Sequence, residues 1–333
     1  MRWLDVRSLT PTAFLAPVSG AAQGTFLGDR LANRYVLLSP LGKGSAGRVF
    51  LARDERTNAQ VAVKVIKPYG STPFATRERL DAELAVGCGV AHANVARILD
   101  IGMSAWSEPF MVTEALVGET LGDRLHELSR LPLPQALAIV REAASGLAAI
   151  HRAGYVHRDV KPDNLFLCDV ERHGVAVKVI DFGFCTPVER STGEEEKVLG
   201  TLEYIAPEQA VAESTDGRAD VYSLGVVLFR CITGELPFDA GAKHVLTHHL
   251  MSPLPPPSWL VDGLDDRIDP IVLSATRKNP ENRYPSMAAL IDDLDRAIAG
   301  LPVQGVPMRV EPDGYRPTSE KGRLAFDTLN EER

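Results

Sequence analysis

The sequence predicts a bilobal α+β protein, with a small β-rich lobe that carries one main helix and a larger, mainly helical lobe. Short segments that alternate apolar and polar residues fill the first third of the chain, whereas apolar residues at helical spacing dominate the remainder. A length of 333 residues, 45% of them hydrophobic, is enough for a substantial buried core. We therefore expect one globular region built from two unlike halves.

The small lobe is predicted from three short β-branched segments separated by glycines or polar turns, residues 34–42, 48–54 and 60–68. This pattern is typical of an antiparallel meander. Residues 76–88, with the sequence TRERLDAELAVGC, indicate a helix, and residues 109–116, PFMVTEAL, indicate a further strand. One helix packed on a small sheet is the expected result.

The larger lobe is predicted from segments with apolar residues at positions i, i+3, i+4 and i+7. The segment 133–154 shows this spacing most clearly and ends at a glycine suited to a helix C-cap. Residues 218–234 and 286–300 follow the same pattern. Long helices are therefore expected to build most of this lobe.

The domain boundaries follow from these patterns and from composition. Residues 1–33 are rich in proline, glycine, alanine and serine, and residues 302–333 look equally unstructured, so both are predicted to be flexible tails. The folded domain is predicted to cover residues 34–301, with an N-terminal lobe at about 34–115 and a C-terminal lobe at about 116–301.

Charge and cysteine content exclude several classes of protein. A net charge of -8 supplies no basic field for nucleic acid or for an anionic membrane surface. The longest apolar run, residues 221–229, falls short of the ~20 residues that span a bilayer. The four cysteines lack the density and the spacing of a disulfide framework or a zinc site. These observations predict a cytoplasmic protein with reduced thiols, no nucleic-acid partner and no membrane insertion.

The first motif with chemical meaning is LGKGSAGRVF, residues 41–50, which lies between two predicted strands. Glycines without a Cβ let backbone N–H groups approach phosphate oxygens closely. A strand rather than a helix follows the last glycine, so this is not a dinucleotide-binding fingerprint. A glycine-rich hairpin without a ligand remains the alternative at this point.

Lys64 lies in the alternating segment VAVK, where it shares one strand face with Ala62. Most strand lysines face solvent. Glu83, on the helix predicted to follow, is able to approach Lys64 across the lobe. An ion pair at about 4 Å, with an effective dielectric constant near 20, is worth on the order of 4 kcal/mol before desolvation is subtracted.

The eight residues HRDVKPDN, from His157 to Asn164, combine two cations, two carboxylates and a carboxamide on one short segment. DFG follows at 181–183 and APE at 206–208. Together with the glycine-rich and VAVK segments, they have the order and spacing of the protein-kinase signature set. From about Tyr35 to Ala299 the chain resembles a eukaryotic-like serine/threonine protein kinase of the type found in bacteria.

The resemblance implies a role for each motif residue. Asp159 is the catalytic base, Lys161 neutralises charge on the transferred phosphoryl group, and Thr201 bonds both. Asn164 and Asp181 hold Mg²⁺, and Lys64, fixed by Glu83, holds the α and β phosphates of ATP. The remaining residues expected to bind the nucleotide are Leu41, Gly42, Gly44, Gly47, Val49, Ala62, Glu114, Leu116 and Phe166.

The implied function is transfer of the γ-phosphoryl group of ATP to serine or threonine hydroxyls of proteins, including the chain itself, in signalling. Self-association would serve autophosphorylation. Two other functions are weighed. A non-catalytic scaffold is disfavoured because no expected catalytic residue is missing. A small-molecule phosphotransferase is disfavoured by GTLEYIAPEQ, residues 200–209, followed by Asp220 and Arg283.

Other motif residues are expected to be structural. Glu208 should form a buried pair with Arg283, Asp220 should anchor the catalytic segment, and Thr113 should guard the nucleotide pocket. His157 should be packed, in a stack with Phe182, Ile98 and Gly87, rather than catalytic.

The segment around Gly193–Lys197, GEEEK, suggests a hypothesis about activation. One or more of its glutamates, residues 194–196, would partly substitute for a phosphothreonine against Arg158 and give basal activity without modification. The alternative is a solvated acidic loop in which Ser191 or Thr192 is phosphorylated. Asp163 is expected to add a mild preference for basic residues in the substrate.

Overall fold

The computed structural model describes residues 25–44, 47–66, 89–170, 174–182, 185–187, 201–238 and 242–305. Several predictions fall outside these residues. They concern the helix with Glu83 and Gly87, the acidic segment 194–196, and the tails before residue 25 and after residue 305.

The N-terminal lobe contains a six-stranded antiparallel sheet with the strand order β1-β2-β3-β4-β6-β5. The strands are β1 (Arg30–Leu31), β2 (Tyr35–Gly44), β3 (Gly47–Asp54), β4 (Gln60–Ile66), β5 (Ile98–Met103) and β6 (Pro109–Glu114). The meander β2-β3-β4 agrees with the predicted segments. Strand β5 was not predicted, because its glycine and its exposed apolar residues weaken the alternation.

The C-terminal lobe is mainly helical, as predicted. Its helices are α1 (Leu121–Leu128), α2 (Leu133–Arg152), α3 (Pro207–Ala210), α4 (Gly217–Thr233), α5 (Ala242–Met251), α6 (Ile268–Ala275) and α7 (Met287–Ile298). Its strands are β7 (Gly118–Thr120), β8 (Tyr155–Val156), β9 (Leu165–Val170), β10 (Gly174–Val179) and β11 (Thr186–Pro187). Strands β10, β9 and β7 form one sheet, and β8 pairs with β11.

Helix α4 is the centre of this lobe. Asp216 caps its N-terminus by accepting a hydrogen bond from the Arg218 N–H, and Gly234 ends it with a left-handed φ of 81°. Most of its side chains are buried, including the charged Asp220. Because a helix buried on all sides has little freedom to shift, residues attached to α4 are held in fixed positions.

The folded region extends beyond both predicted domain boundaries, residues 34 and 301. Leu31, assigned to the N-terminal tail, is buried and pairs with β2. Beyond residue 301, the N–H groups of Gln304 and Gly305 donate hydrogen bonds of 2.8 and 2.7 Å to the buried Asp293. The folded part therefore includes at least residues 25–33 and 302–305.

Cys168, Cys185 and Cys231 carry reduced thiol groups. Among the described residues we find no helix with the length and apolar character needed to span a bilayer.

Candidate active site

The segment His157–Asn164 lies between β8 and β9 and carries the buried carboxylate of Asp159. Three donors hold this carboxylate. Lys161 Nζ lies 2.8 Å and Asn164 Nδ2 lies 2.9 Å from its Oδ2, and the Thr201 N–H donates to its Oδ1 over 3.1 Å. The negative charge is therefore compensated and the carboxylate orientation fixed, although Asp159 is only 5% exposed.

Thr201 also contacts Lys161 and Asp159 through its side chain. Its Oγ1 accepts a hydrogen bond of 2.6 Å from Lys161 Nζ and lies 3.4 Å from Asp159 Oδ1. Thr201 comes directly before a short 3-10 helix, Leu202–Tyr204. The chain segment that follows Thr201 is thereby tied to Asp159.

Asp220 anchors the segment His157–Asn164 from α4, as predicted. Its carboxylate accepts hydrogen bonds of 2.8 Å from the backbone N–H groups of His157 and Arg158, and His151 Nε2 lies 2.7 Å away. Burial alone would raise the pKa of Asp220, but the hydrogen bond and charge of His151 and the contacts with His157 outweigh it, so the pKa lies below its usual value. The buried carboxylate is therefore ionised at neutral pH.

His157 is a packed residue, in agreement with its predicted structural role. It is fully buried, and its ring meets that of Phe182 edge to face at a centroid distance of 6.0 Å. The Asp159 N–H points at its Nδ1 over 3.3 Å, and its Nε2 lies 3.3 Å from the Ile180 carbonyl. Both ring nitrogens are therefore used inside the protein.

A cavity of about 280 Å³ lies between the two lobes, next to the segment His157–Asn164. Residues from both lobes line it, among them Val49 and Ala62 of the N-terminal lobe and Phe166 of the C-terminal lobe. Residues predicted for nucleotide binding that line it are Leu41, Gly42, Gly47, Val49, Ala62, Lys64, Glu114, Leu116 and Phe166. Thr113 also lines it. Gly44 ends β2, where it pairs with Gly47.

Gly47, the first residue of β3, lines the cavity at a position that requires glycine. Its φ is 156°, and a Cβ at this position would lie 2.2 Å from the Val65 carbonyl oxygen. No other residue fits between the two strands there.

Lys64 forms an ion pair with Asp181 across the cavity. Its Nζ lies 2.8 Å from Asp181 Oδ1, with the two side chains 14% and 28% exposed. Asp181 has a left-handed φ of 61°, which is uncommon for a residue with a side chain and typical of functional sites. In the described part of the chain, Lys64 is therefore paired with Asp181, the predicted metal ligand. Glu83, the predicted partner of Lys64, lies outside the described residues.

The donors around Asp181 fit a hard divalent cation. Asp181 and Asn164 line the same cavity, and Asn164 uses its Nδ2 toward Asp159, so that its amide oxygen is the atom with ligand chemistry. Within the described ranges no group of three or more histidine, cysteine, aspartate or glutamate residues is arranged to hold a metal. Two protein oxygens suit an ion that takes its other ligands from phosphate and water.

Sequence reasoning did not assign a role in the pocket to several lining residues, namely Ala96, Met111, Thr120 and Ile180. Met111 and Thr113 lie two positions apart on β6, so strand periodicity applied to Thr113 would have found Met111. Ala96 and Ile180 lie outside any motif and reach the cavity only through the folding of the lobes.

One other predicted contact is present, the pair of Glu208 and Arg283. Glu208 and Arg283 form a bidentate pair, with Arg283 Nη1 and Nη2 2.7 and 2.8 Å from the glutamate oxygens. Arg158 donates to Thr186 Oγ1 over 3.0 Å. The acidic residues expected to meet Arg158 lie outside the described residues.

The chain matches known protein kinases in family, in sequence and in structure. The family model described as "Protein kinase domain" matches residues 35–291. Serine/threonine-protein kinase PknB of Mycobacterium leprae is 38% identical over 292 residues, which cover 85% of this chain and 46% of PknB. Serine/threonine-protein kinase Pkn1 of Myxococcus xanthus is 34% identical, over 84% of this chain and 40% of its own length.

The chain thus spans less than half the length of these two curated relatives. Among solved structures, the PknI kinase domain of Mycobacterium tuberculosis has a TM-score of 0.65 with 22% sequence identity, and the match covers 82% of this chain and 99% of that domain. At this level of identity the likeness concerns the fold.

Proposed function

This chain belongs to the protein kinase domain family, and from this premise we propose that it is an ATP- and Mg²⁺-dependent serine/threonine protein kinase. The observation that carries the proposal is the cluster of Asp159, Lys161 and Thr201. Asp159 of this cluster contacts Asn164, which lines the cavity between the two lobes. Protein substrates, including a second copy of the chain, would be phosphorylated in the cytoplasm, in a signalling role without nucleic acid. The catalytic domain would cover residues 34–301 and the described residues that extend it.

Positioning and electrostatics account for most of the catalysis in phosphoryl transfer. Asp159 would accept the proton of the substrate hydroxyl, since its oxygens are oriented by three donors. Lys161 lies on the same carboxylate and would stabilise negative charge on the transferred group. Thr201 would hold both in register.

The nucleotide would lie with its adenine between Ala62 and Phe166, and Lys64 would bind its phosphates. Asp181 and the amide oxygen of Asn164 would hold Mg²⁺, which when bound neutralises phosphate charge. Because Lys64 and Asp181 lie next to each other, the phosphates and the metal would bind side by side beside this pair.

The preference for serine and threonine over tyrosine rests on Lys161 and Thr201. Asp163, which is exposed beside the cavity, would favour basic residues in the substrate. A randomised peptide library without arginine or lysine enrichment would remove that part of the proposal.

The test is phosphate transfer from labelled ATP to a generic protein substrate in the presence of Mg²⁺. Asp159→Asn keeps the shape of the side chain and removes the base, so we expect transfer to fall about a hundredfold or more. Asp266→Asn is the matched control, because Asp266 is an exposed carboxylate in the loop before α6. Phosphoamino acid analysis then identifies the acceptor.

Three results would contradict the proposal. Equal transfer by wild type and Asp159→Asn would exclude Asp159 as the base. No transfer by the wild type would favour a scaffold, and label found only in a small metabolite would favour a small-molecule phosphotransferase.

A further inference from the structure

A row of four polar groups, three of which belong to buried side chains, lies beneath the short helix that follows Thr201. It starts at Lys278, continues through Tyr222 on α4 and His249 on α5, and ends at the backbone carbonyl of Glu203. The successive distances are 3.3 Å from Lys278 Nζ to Tyr222 Oη, 2.8 Å from Tyr222 Oη to His249 Nδ1, and 3.1 Å from His249 Nε2 to Glu203 O. Tyr222 and His249 are 0% exposed.

The direction of each hydrogen bond follows from the chemistry of the two ends. A carbonyl oxygen only accepts, so His249 carries its proton on Nε2 and donates it to Glu203. His249 Nδ1 therefore accepts, and the Tyr222 hydroxyl donates to it. The Lys278 ammonium only donates, and it does so to the tyrosine oxygen. Hydrogen bonds aligned in one direction polarise and strengthen each other.

His249 is a fixed support rather than a titrating group. Burial and, after it, the positive charge of Lys278 lower the pKa of His249 to about 3. The other groups around the ring are the edge of Phe238, at a centroid distance of 5.0 Å, and the ring of His248, which stacks on Phe238. The ring therefore stays neutral near physiological pH, with its proton on Nε2.

The supported segment leads directly to the catalytic cluster. Glu203 comes two residues after Thr201, which bonds Asp159 and Lys161. Leu202 and Ile205 on either side pack with the α5 residues Leu246 and Leu250. His249 thus adds a directional polar contact to an otherwise apolar attachment of this segment to α5.

We propose that His249 is a positioning residue for the protein substrate, because its bond to the Glu203 carbonyl fixes residues 201–205 beneath the substrate chain. The inference rests on the proposed function. A substrate whose hydroxyl reaches Asp159 must lie beside Thr201, so the conformation of this segment determines how well the substrate binds.

Two substitutions that differ by one methylene test the inference in the full chain. His249→Gln places an amide N–H near the position of Nε2 and keeps the bond to Glu203, whereas His249→Asn is too short to reach it. We expect His249→Asn to raise the KM for a serine-containing peptide about tenfold, as for the loss of one buried hydrogen bond. The KM for ATP should not change, and His249→Gln should stay within about twofold of wild type in both values.

Hydrogen exchange provides a second measurement that does not depend on activity. The amides of Tyr204 and Ile205 should exchange about tenfold faster in His249→Asn than in His249→Gln. Equal peptide KM values in the two variants would overturn the inference, as would a loss of activity that only follows the loss of folded protein. If the wild type transfers no phosphate, the proposed function fails, and equal exchange rates in the two variants would then refute the support of this segment by His249.

Discussion

Lys64 on β4 and Asp181 after β10 are joined by an ion pair of 2.8 Å across the cavity between the lobes. The sequence predicts that these two residues act on phosphate and on metal, and their mutual contact brings both ligand sites to one place. Each side chain keeps some exposure to the cavity. The pair therefore connects the two lobes at the wall of the cavity.

Removal of Lys64 should affect catalysis much more than stability. Partly exposed ion pairs contribute about 0–1 kcal/mol to folding, whereas a charge aimed at a reacting phosphate is worth about a hundredfold or more in rate. We expect Lys64→Met to lower phosphate transfer by at least that factor and to change the free energy of unfolding by no more than about 1 kcal/mol. Enzyme assays and urea denaturation measure the two quantities.

Arg141→Met is the control for this prediction, because Arg141 forms a comparable exposed pair with Asp295 on α7, 2.9 Å long and away from the cavity. It should leave transfer unchanged. Equal activity of Lys64→Met and wild type would remove Lys64 from the site.

Thr201 permits a test of a single hydroxyl group. Thr201→Val keeps the shape of the side chain but leaves Lys161 without an acceptor that now lies 2.6 Å from its Nζ. A hydrogen bond to a charged group is worth about 1.5–3 kcal/mol, so kcat should fall about 10- to 100-fold. Thr201→Ser keeps the hydroxyl and should retain most of kcat. Similar kcat values for the two variants would show that the hydroxyl has no role.

The sequence predicted the contacts made between motif residues but not the contacts that depend on how the lobes pack. Asp159, Lys161 and Thr201 meet as expected, and so do Glu208 and Arg283, because family motifs carry their relative positions. The row from Lys278 to Glu203 had no signal in the sequence. Its members belong to different elements, and only tertiary packing decides which polar groups are buried together.

The limits of the strand and boundary predictions have local causes. Strand β5 was missed because Leu99, Ile101 and Met103 are apolar and exposed, so burial does not follow the expected alternation. The domain was drawn too short at its C-terminal end because the bonds from Gln304 and Gly305 to Asp293 are made by backbone groups. Side-chain composition carries no information about such bonds.

The buried pair of Glu208 and Arg283 should be important for stability. Removal of one partner from a buried ion pair costs about 3–5 kcal/mol, because the other charge is left uncompensated. Arg283 also donates to the carbonyls of Arg277, Lys278 and Arg218. Arg283→Met should therefore destabilise the protein more than Glu208→Gln does.

The two variants should differ in the folding stability that they lose, and the loss should be larger in Arg283→Met. Glu208→Gln leaves Arg283 with three carbonyl acceptors, whereas Arg283→Met leaves these carbonyls and a buried carboxylate without their donor. Urea denaturation at pH 7 measures both. A larger loss in Glu208→Gln than in Arg283→Met would contradict the assignment.

Asp220 should make stability depend on pH in the acid range. Its pKa in the folded protein lies below the value of 3.8 expected for an exposed aspartate. The unfolded chain therefore binds a proton first as the pH falls, and the stability contributed by the ionised carboxylate is complete above about pH 4 and is lost below it. Each additional proton bound by the unfolded state contributes a slope of about 1.4 kcal/mol per pH unit. In Asp220→Asn this part of the slope should vanish, because the amide does not titrate.

The free energy of unfolding of both proteins, measured between pH 7 and pH 3 with Asp266→Asn as the surface control, tests this prediction. A slope below pH 4 that is equally steep in wild type and Asp220→Asn would mean that other carboxylates cause the acid sensitivity. The His157 and Arg158 N–H groups would then hold Asp220 without making it a determinant of acid stability.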